Sequence, residues 1–118
     1  MDDRVKKTLA LINTTKKTIL DIGCNEGGIS EMLANKGHNV VGIDICQRAI
    51  DIAKTRRRDN LKFICGDILK TEMPRFDTIL FLETIEHIDN PNYYLSRIKE
   101  LLKDDGELII STPNSIGL

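Results

Sequence analysis

The 118 residues are 41% hydrophobic and 30% charged, the composition of one ordinary globular domain with a modest core, here read as spanning residues 1–118. Seventeen Lys and Arg against eighteen Asp and Glu leave a formal charge of −1, which excludes a global field that recruits nucleic acid or an anionic membrane; such a partner needs a local patch. Cys24, Cys46 and Cys65 are odd in number and form no C-x-x-C pair, which argues against a disulfide framework and a thiolate zinc site and fits a reducing cytoplasm.

The N-terminal stretch MDDRVKKTLALINTTKK carries no apolar core followed by a cleavage site, and no later stretch reaches the roughly 18 apolar residues of a membrane span. A cytoplasmic chain with no membrane partner is expected. Val5, Leu9 and Ile12 fall on one stripe of a leading helix. TILDI, 18–22, is a first strand; GISEMLANKG, 28–37, is a helix with Ile29, Met32 and Leu33 on one face and Gly37 as terminator. HNVVGID, 38–44, is a second strand. QRAIDIAKTRRR, 47–58, predicts a helix with Ala49, Ile50 and Ala53 inward and its late arginines near the negative end of the helix dipole.

LKFIC, 61–65, is a third strand, and FDTILFL, 76–82, has the nearly continuous apolar pattern of a central parallel strand buried on both faces. Asn90 is expected to cap a helix with Pro91 at its first position and Tyr94, Leu95, Ile98, Leu101 and Leu102 as its buried stripe. A DDG turn at 104–106 leads into a fifth strand, ELIIST. Alternating strands and helices predict an α/β fold built on a doubly wound, open parallel sheet of five strands.

Ligands of such sheets sit outside the carboxyl ends of the strands. Those ends are acidic here: Asp21 and Gly23 close the first strand, Asp44 the second, Asp67 follows the third, and Glu83 and Glu86 follow the fourth. The turn between Asp21 and the next helix is punctuated by Gly23, Gly27 and Gly28. A dinucleotide would set a pyrophosphate beside Asp21, which repels it, whereas a sulfonium with an ammonium, as in S-adenosylmethionine, complements an acidic rim. Asp44 suits the ribose diol of either ligand, or serves as a helix N-cap; Asp67 is a binding residue or a turn residue.

LDIGCNEGG, VVGIDI, GDI and FDTILFLETIEHI, within a match that spans residues 19–114, resemble in order and spacing the motifs of class I S-adenosylmethionine-dependent methyltransferases. The resemblance implies a Rossmann-like methyltransferase core. Its first motif, D-x-G-x-G-x-G, maps onto Asp21, Gly23, Asn25 and Gly27, with Asn25 where a glycine is usual; Asn tolerates positive φ better than most residues. The resemblance further implies that Gly23 and its neighbour Cys24 contact the methionine part, Asp44 the ribose, Ile45 a face of adenine, and Asp67 with Ile68 its edge.

ETIEHI, 83–88, sets Glu83, Glu86 and His87 at i, i+3 and i+4, one face of a helical turn and a plausible ligand set for Mg²⁺ or Mn²⁺. This E-x-x-E-H pattern is similar to that of small-RNA 2′-O-methyltransferases and ubiquinone-pathway O-methyltransferases, which implies O-methylation of a small molecule or an RNA terminus. Relatives without metal use Glu83 toward the donor, and His87, beside Glu86, then stands as general base or as a packed histidine. His38 starts the second strand, at the wrong end of the sheet for this site. The three cysteines read as small buried side chains, and KTRRR, 54–58, as a solvated helix end rather than an RNA contact.

The resemblance also implies an antiparallel strand pair beyond the fifth strand, which the five units lack. Strand 106–112 is therefore expected to be covered by a homodimer or a partner chain. Two alternatives stand beside the methyltransferase: an inactive donor-binding domain that serves a partner, and a dinucleotide-dependent oxidoreductase.

Overall fold

A computed structural model describes residues 3–10, 12, 15, 17–82 and 90–111. In chain order the elements are α1 (Asp3–Ala10), β1 (Thr18–Ile22), α2 (Gly28–Asn35), β2 (Asn39–Asp44), α3 (Gln47–Ala53), β3 (Leu61–Cys65), β4 (Phe76–Leu82), α4 (Pro91–Leu101) and β5 (Leu102–Ser111). All five strands pair in parallel, in the order β3-β2-β1-β4-β5. The order reverses between β1 and β4, which creates a crevice at the carboxyl ends of those two strands.

Alternation along each strand sorts the side chains onto two faces. Ile19, Val40, Phe63 and Leu80 meet Leu9 of α1, Leu33 of α2 and Ile50 of α3 on one face. Leu20, Ile43, Ile79 and Phe81 meet Ile98 and Leu101 of α4 on the other. Because β4 is central and covered on both faces, Thr78 to Leu82 are all buried, as its unbroken apolar run predicts. Strands β1, β3 and β4 keep their predicted bounds. Leu9 and Ile12 are buried as predicted, while the side chain of Val5 lies outside the described residues. Gly37, at φ 100, closes α2 by donating its N–H to Ala34 O at 2.9 Å.

Three expectations need correction. Helix α3 stops at Ala53, and the arginines beyond it do not sit on its last turn. Arg56 instead donates from Nε to Glu26 O at 2.7 Å and pairs with Glu31 at 2.8 Å, two tertiary partners that outweigh a dipole contact. Asn90 holds the N-cap position of α4 without a side-chain capping bond. Leu102 opens β5 against Phe76, and the next paired residues are Thr78 and Glu107, so Asp77 alone lies opposite residues 103–106. The expected DDG turn is thus a bulge within the β4–β5 pair. Among the described residues no helix is long and apolar enough to cross a membrane.

The bulge is tied to the sheet by Asp77. Its Oδ2 accepts the Thr18 N–H at 2.8 Å and the Thr18 hydroxyl at 3.0 Å, and Lys103 Nζ lies 3.3 Å from Oδ1. The Thr18 N–H is the main cause that holds this carboxyl below its usual range, against burial and with help from the hydroxyl and Lys103. Replacing Asp77 by Ala is expected to lower stability by about 1–2 kcal/mol at pH 7. A depressed folded pKa means this contribution is present above the unfolded value near 4 and is lost as pH falls through the folded one. Urea unfolding at pH 7 and pH 3 should therefore show a gap between wild type and Asp77→Ala that narrows in acid.

Candidate functional site

The site grows from the three loops that follow β1, β2 and β3. In the first, Gly23, Asn25 and Gly27 take positive φ of 74°, 53° and 86°. Asparagine is the non-glycine residue best suited to this region, so the turn survives the substitution at its middle position. The N–H groups of Gly23 and Cys24 donate to Ile43 O at 2.8 and 3.1 Å. Asp44, at the end of β2, accepts the Asn25 N–H on Oδ2 at 2.8 Å and the Cys46 N–H on Oδ1 at 2.9 Å. The N-cap of α3 is Cys46, so Asp44 straps two loops together rather than capping the helix. In the third loop Gly66 donates its N–H to Asp44 O at 3.0 Å, and Asp67 Oδ1 accepts the Leu69 N–H at 2.9 Å.

A cavity of about 350 Å³ opens between these loops, ample for a nucleoside. Six residues expected to bind a ligand converge on it: Gly23, Asn25, Asp44, Ile45, Asp67 and Ile68. Ile45 stands 77% exposed at the rim, an apolar side chain that no described residue covers. Ile22, Ile43, Gly66, Phe81 and Tyr94 complete the wall and were not anticipated. Ile22, Ile43 and Phe81 share the α4 face of their strands, so strand alternation carried the signal. Tyr94 comes from α4 and packs its ring 6.0 Å from that of Phe81.

Three expected binding residues do not line this cavity. Asp21 shares the strand parity of Ile19 and points to the α2 side, where it is 3% exposed and accepts the Ser30 hydroxyl at 2.7 Å. It is therefore not on the acidic rim, which among the described residues is formed by Asp44 and Asp67. Burial pushes its carboxyl up to about 6, with the Ser30 bond opposing and the Asp44 charge adding. Cys24 is buried in the same face, and burial, Asp21 and Asp44 push its thiol up to about 12, so it stays protonated and inert. Gly27 serves packing: a Cβ there would lie 2.5 Å from the Phe63 ring.

Glu83, Glu86 and His87, the candidate catalytic and metal residues, lie outside the described residues. Among the described residues no group of three or more His, Cys, Asp or Glu side chains is placed to hold a metal ion, and all three cysteines are free thiols. His38 sits before β2, at the end of the sheet remote from the cavity, as expected. It is buried, its Nδ1 accepts the Lys17 N–H at 3.2 Å, and desolvation lowers its pKa.

Asp21 generates a pH signature opposite in sign to that of Asp77. A folded pKa raised from 3.8 to about 6 favours the protonated native state, so the favourable contribution is complete below the unfolded value and is lost as pH rises through 6. Asp21→Asn keeps an acceptor for Ser30 and removes the titration. Thermal melts from pH 4 to pH 8 should show wild type losing stability relative to Asp21→Asn as pH rises; parallel curves would contradict the burial account.

A family model described as "Methyltransferase domain" matches residues 1–117. A ubiquinone biosynthesis O-methyltransferase from Glaesserella parasuis serovar 5 (strain SH0165) is 40% identical over 108 residues, covering 83% of this chain and 46% of that protein. The Coxiella burnetii (strain Dugway 5J108-111) protein of the same name is 35% identical over 116 residues, covering 94% of this chain and 50% of its own length. The chain thus spans about half the length of these curated relatives. A solved structure of the plantazolicin methyltransferase BpumL, in complex with a triazolic desmethylPZN analog and SAH, aligns with a TM-score of 0.76 and 26% identity over 90% of this chain and 42% of that one. With its 3-2-1-4-5 sheet, its strapped glycine turn and a match along nearly its whole length, the chain belongs to the class I S-adenosylmethionine-dependent methyltransferase family.

Proposed function

We propose that the cavity takes the adenosyl part of S-adenosylmethionine and that the protein transfers a methyl group from it to an acceptor oxygen. The observation that carries this reading is the meeting, at the crevice where strand order reverses, of a rim carboxylate, Asp44, with the uncovered side chain of Ile45. A bound nucleoside satisfies both: hydroxyls for the carboxylate, a flat apolar face for the isoleucine. The cavity residues fit that group.

When bound, S-adenosylmethionine supplies a methyl group activated by a positive sulfur. The chain's own residues bind and align. Asp44 retains lone pairs on both oxygens after its two backbone bonds and accepts the ribose hydroxyls. Ile45 and Ile68 cover the base, Asp67 sits at its edge, and Gly23 lets the backbone approach the methionine part without a side chain between them. By sequence pattern Glu83 is assigned to donor binding and His87, beside Glu86, to the acceptor proton, imidazole being the usual base for an oxygen nucleophile. The shared name of the two relatives supports a small hydroxylated acceptor of the ubiquinone-pathway kind over an RNA terminus.

Calorimetric titration of the 118-residue chain is expected to show binding of S-adenosylmethionine and S-adenosylhomocysteine and none of NAD. Asp44→Ala should weaken that binding by about tenfold or more. No heat at millimolar S-adenosylhomocysteine, or heat with NAD, would sink the reading. Labelled-methyl transfer to a catechol, compared with a small RNA, is expected with the catechol and should persist in EDTA. Loss in EDTA with recovery in Mn²⁺ would instead assign Glu83, Glu86 and His87 to a metal. Donor binding without transfer to either acceptor would favour a donor-binding domain that serves a partner.

A further inference from the structure

Helix α4 reaches the cavity at two levels. Tyr94 lines it directly, and one turn later Arg97 grips the loop that brings Gly66, Asp67 and Ile68 to its wall. That loop closes on a single carbonyl: Asp67 O accepts the Lys70 N–H and the Thr71 N–H, both at 3.0 Å, and the Thr71 hydroxyl at 2.8 Å. The carbonyls of Ile68 and Thr71 turn toward α4 instead, where Arg97 donates from Nε at 3.1 Å and from Nη2 at 2.7 Å.

We infer that Arg97 is a positioning residue for the nucleobase side of the cavity, setting the place of Asp67 and Ile68 through a two-pronged hold on their loop. The inference rests on the proposed donor site. A guanidinium is planar and presents its donors as a fixed fork, so two carbonyls bound to it are fixed relative to each other and to the helix that carries it. That helix is itself anchored, since Ile98 and Leu101 are buried in the core beside it. Arg97 is 23% exposed along its side chain, so both bonds form partly out of water, where they hold best. Glu100 lies 3.5 Å from Nη1, which leaves Nε and Nη2 to the loop. No other side chain among the described residues donates to either carbonyl.

The test compares wild type, Arg97→Met and Arg97→Lys of the full 118-residue chain by calorimetric titration with three probes. These are S-adenosylhomocysteine, adenosine, and S-ribosylhomocysteine, which has the same thioether and ribose but no base. Arg97→Met keeps the stem and removes the donors. It is expected to weaken S-adenosylhomocysteine and adenosine by a common factor of about ten while leaving S-ribosylhomocysteine unchanged. Arg97→Lys, with a point charge in place of a fork, should show a smaller loss confined to the same two probes. Equal weakening of all three probes, or wild-type affinity in Arg97→Met, would overturn the inference and leave the donor site standing. If Arg97→Met fails to give a cooperative thermal transition, Arg97→Lys decides by the same base-dependent pattern. A wild-type chain that binds neither S-adenosylhomocysteine nor adenosine refutes the donor reading and this inference together.

Discussion

The loops that frame the cavity hang on one residue. Asp44 holds the glycine turn through the Asn25 N–H and the entry to α3 through the Cys46 N–H, and its own carbonyl takes the N–H of Gly66 from the third loop. Hydrogen bonds to a carboxylate are worth about 1.5–3 kcal/mol each, enough to offset the roughly 1–2 kcal/mol that a left-handed residue costs at Asn25. The strap therefore balances the strain. A chain that needed a glycine at this position on conformational grounds alone manages with an asparagine, because its amide is pinned from below by a charge.

Behind the strap the sheet divides the labour between its faces. The α4 face contributes Ile22, Ile43 and Phe81 to the cavity wall. The opposite face supports the turn from beneath, with the Phe63 ring pressed between two glycines. A Cβ at Gly27 would lie 2.5 Å from that ring, and a Cβ at Gly42 would lie 2.8 Å from it and 2.9 Å from Cys24 Sγ. Glycine thus serves the motif twice, by allowing positive φ at Gly23 and by allowing close packing at Gly27 and Gly42. Asp21 belongs to this support layer, linking β1 to α2 through Ser30.

Most of the architecture was readable in advance because the strands are apolar on one or both faces and short enough to be bounded by turns. TILDI, LKFIC and FDTILFL form strands over the residues that their composition marks. The binding loops were readable too, since strand ends in a doubly wound sheet are a place defined by topology. What escaped was set by tertiary geometry. Asp21 looks like a rim residue by sequence position, yet strand alternation turns it the other way, and Ser30 on the inward face of α2 was the available sign of a buried partner. Arg56 and Arg97 act through carbonyls 26 to 30 residues distant, which no local period encodes. Helix α3 ends early because Arg56 is recruited by Glu26 and Glu31.

The burial of Asp21 takes it off the rim where it first distinguished a sulfonium donor from a pyrophosphate, and the hydrogen bonds of the turn add a second distinction. An anion at a glycine turn needs free N–H groups to receive it. Here the N–H groups of Gly23 and Cys24 are spent on Ile43 O, that of Asn25 on Asp44, and that of Gly27 on Cys24 O. A pyrophosphate seated on these four N–H groups would displace their bonds and set its charge against the Asp44 carboxylate. A ligand whose charge near the turn is positive and whose hydroxyls reach Asp44 leaves every one of them in place.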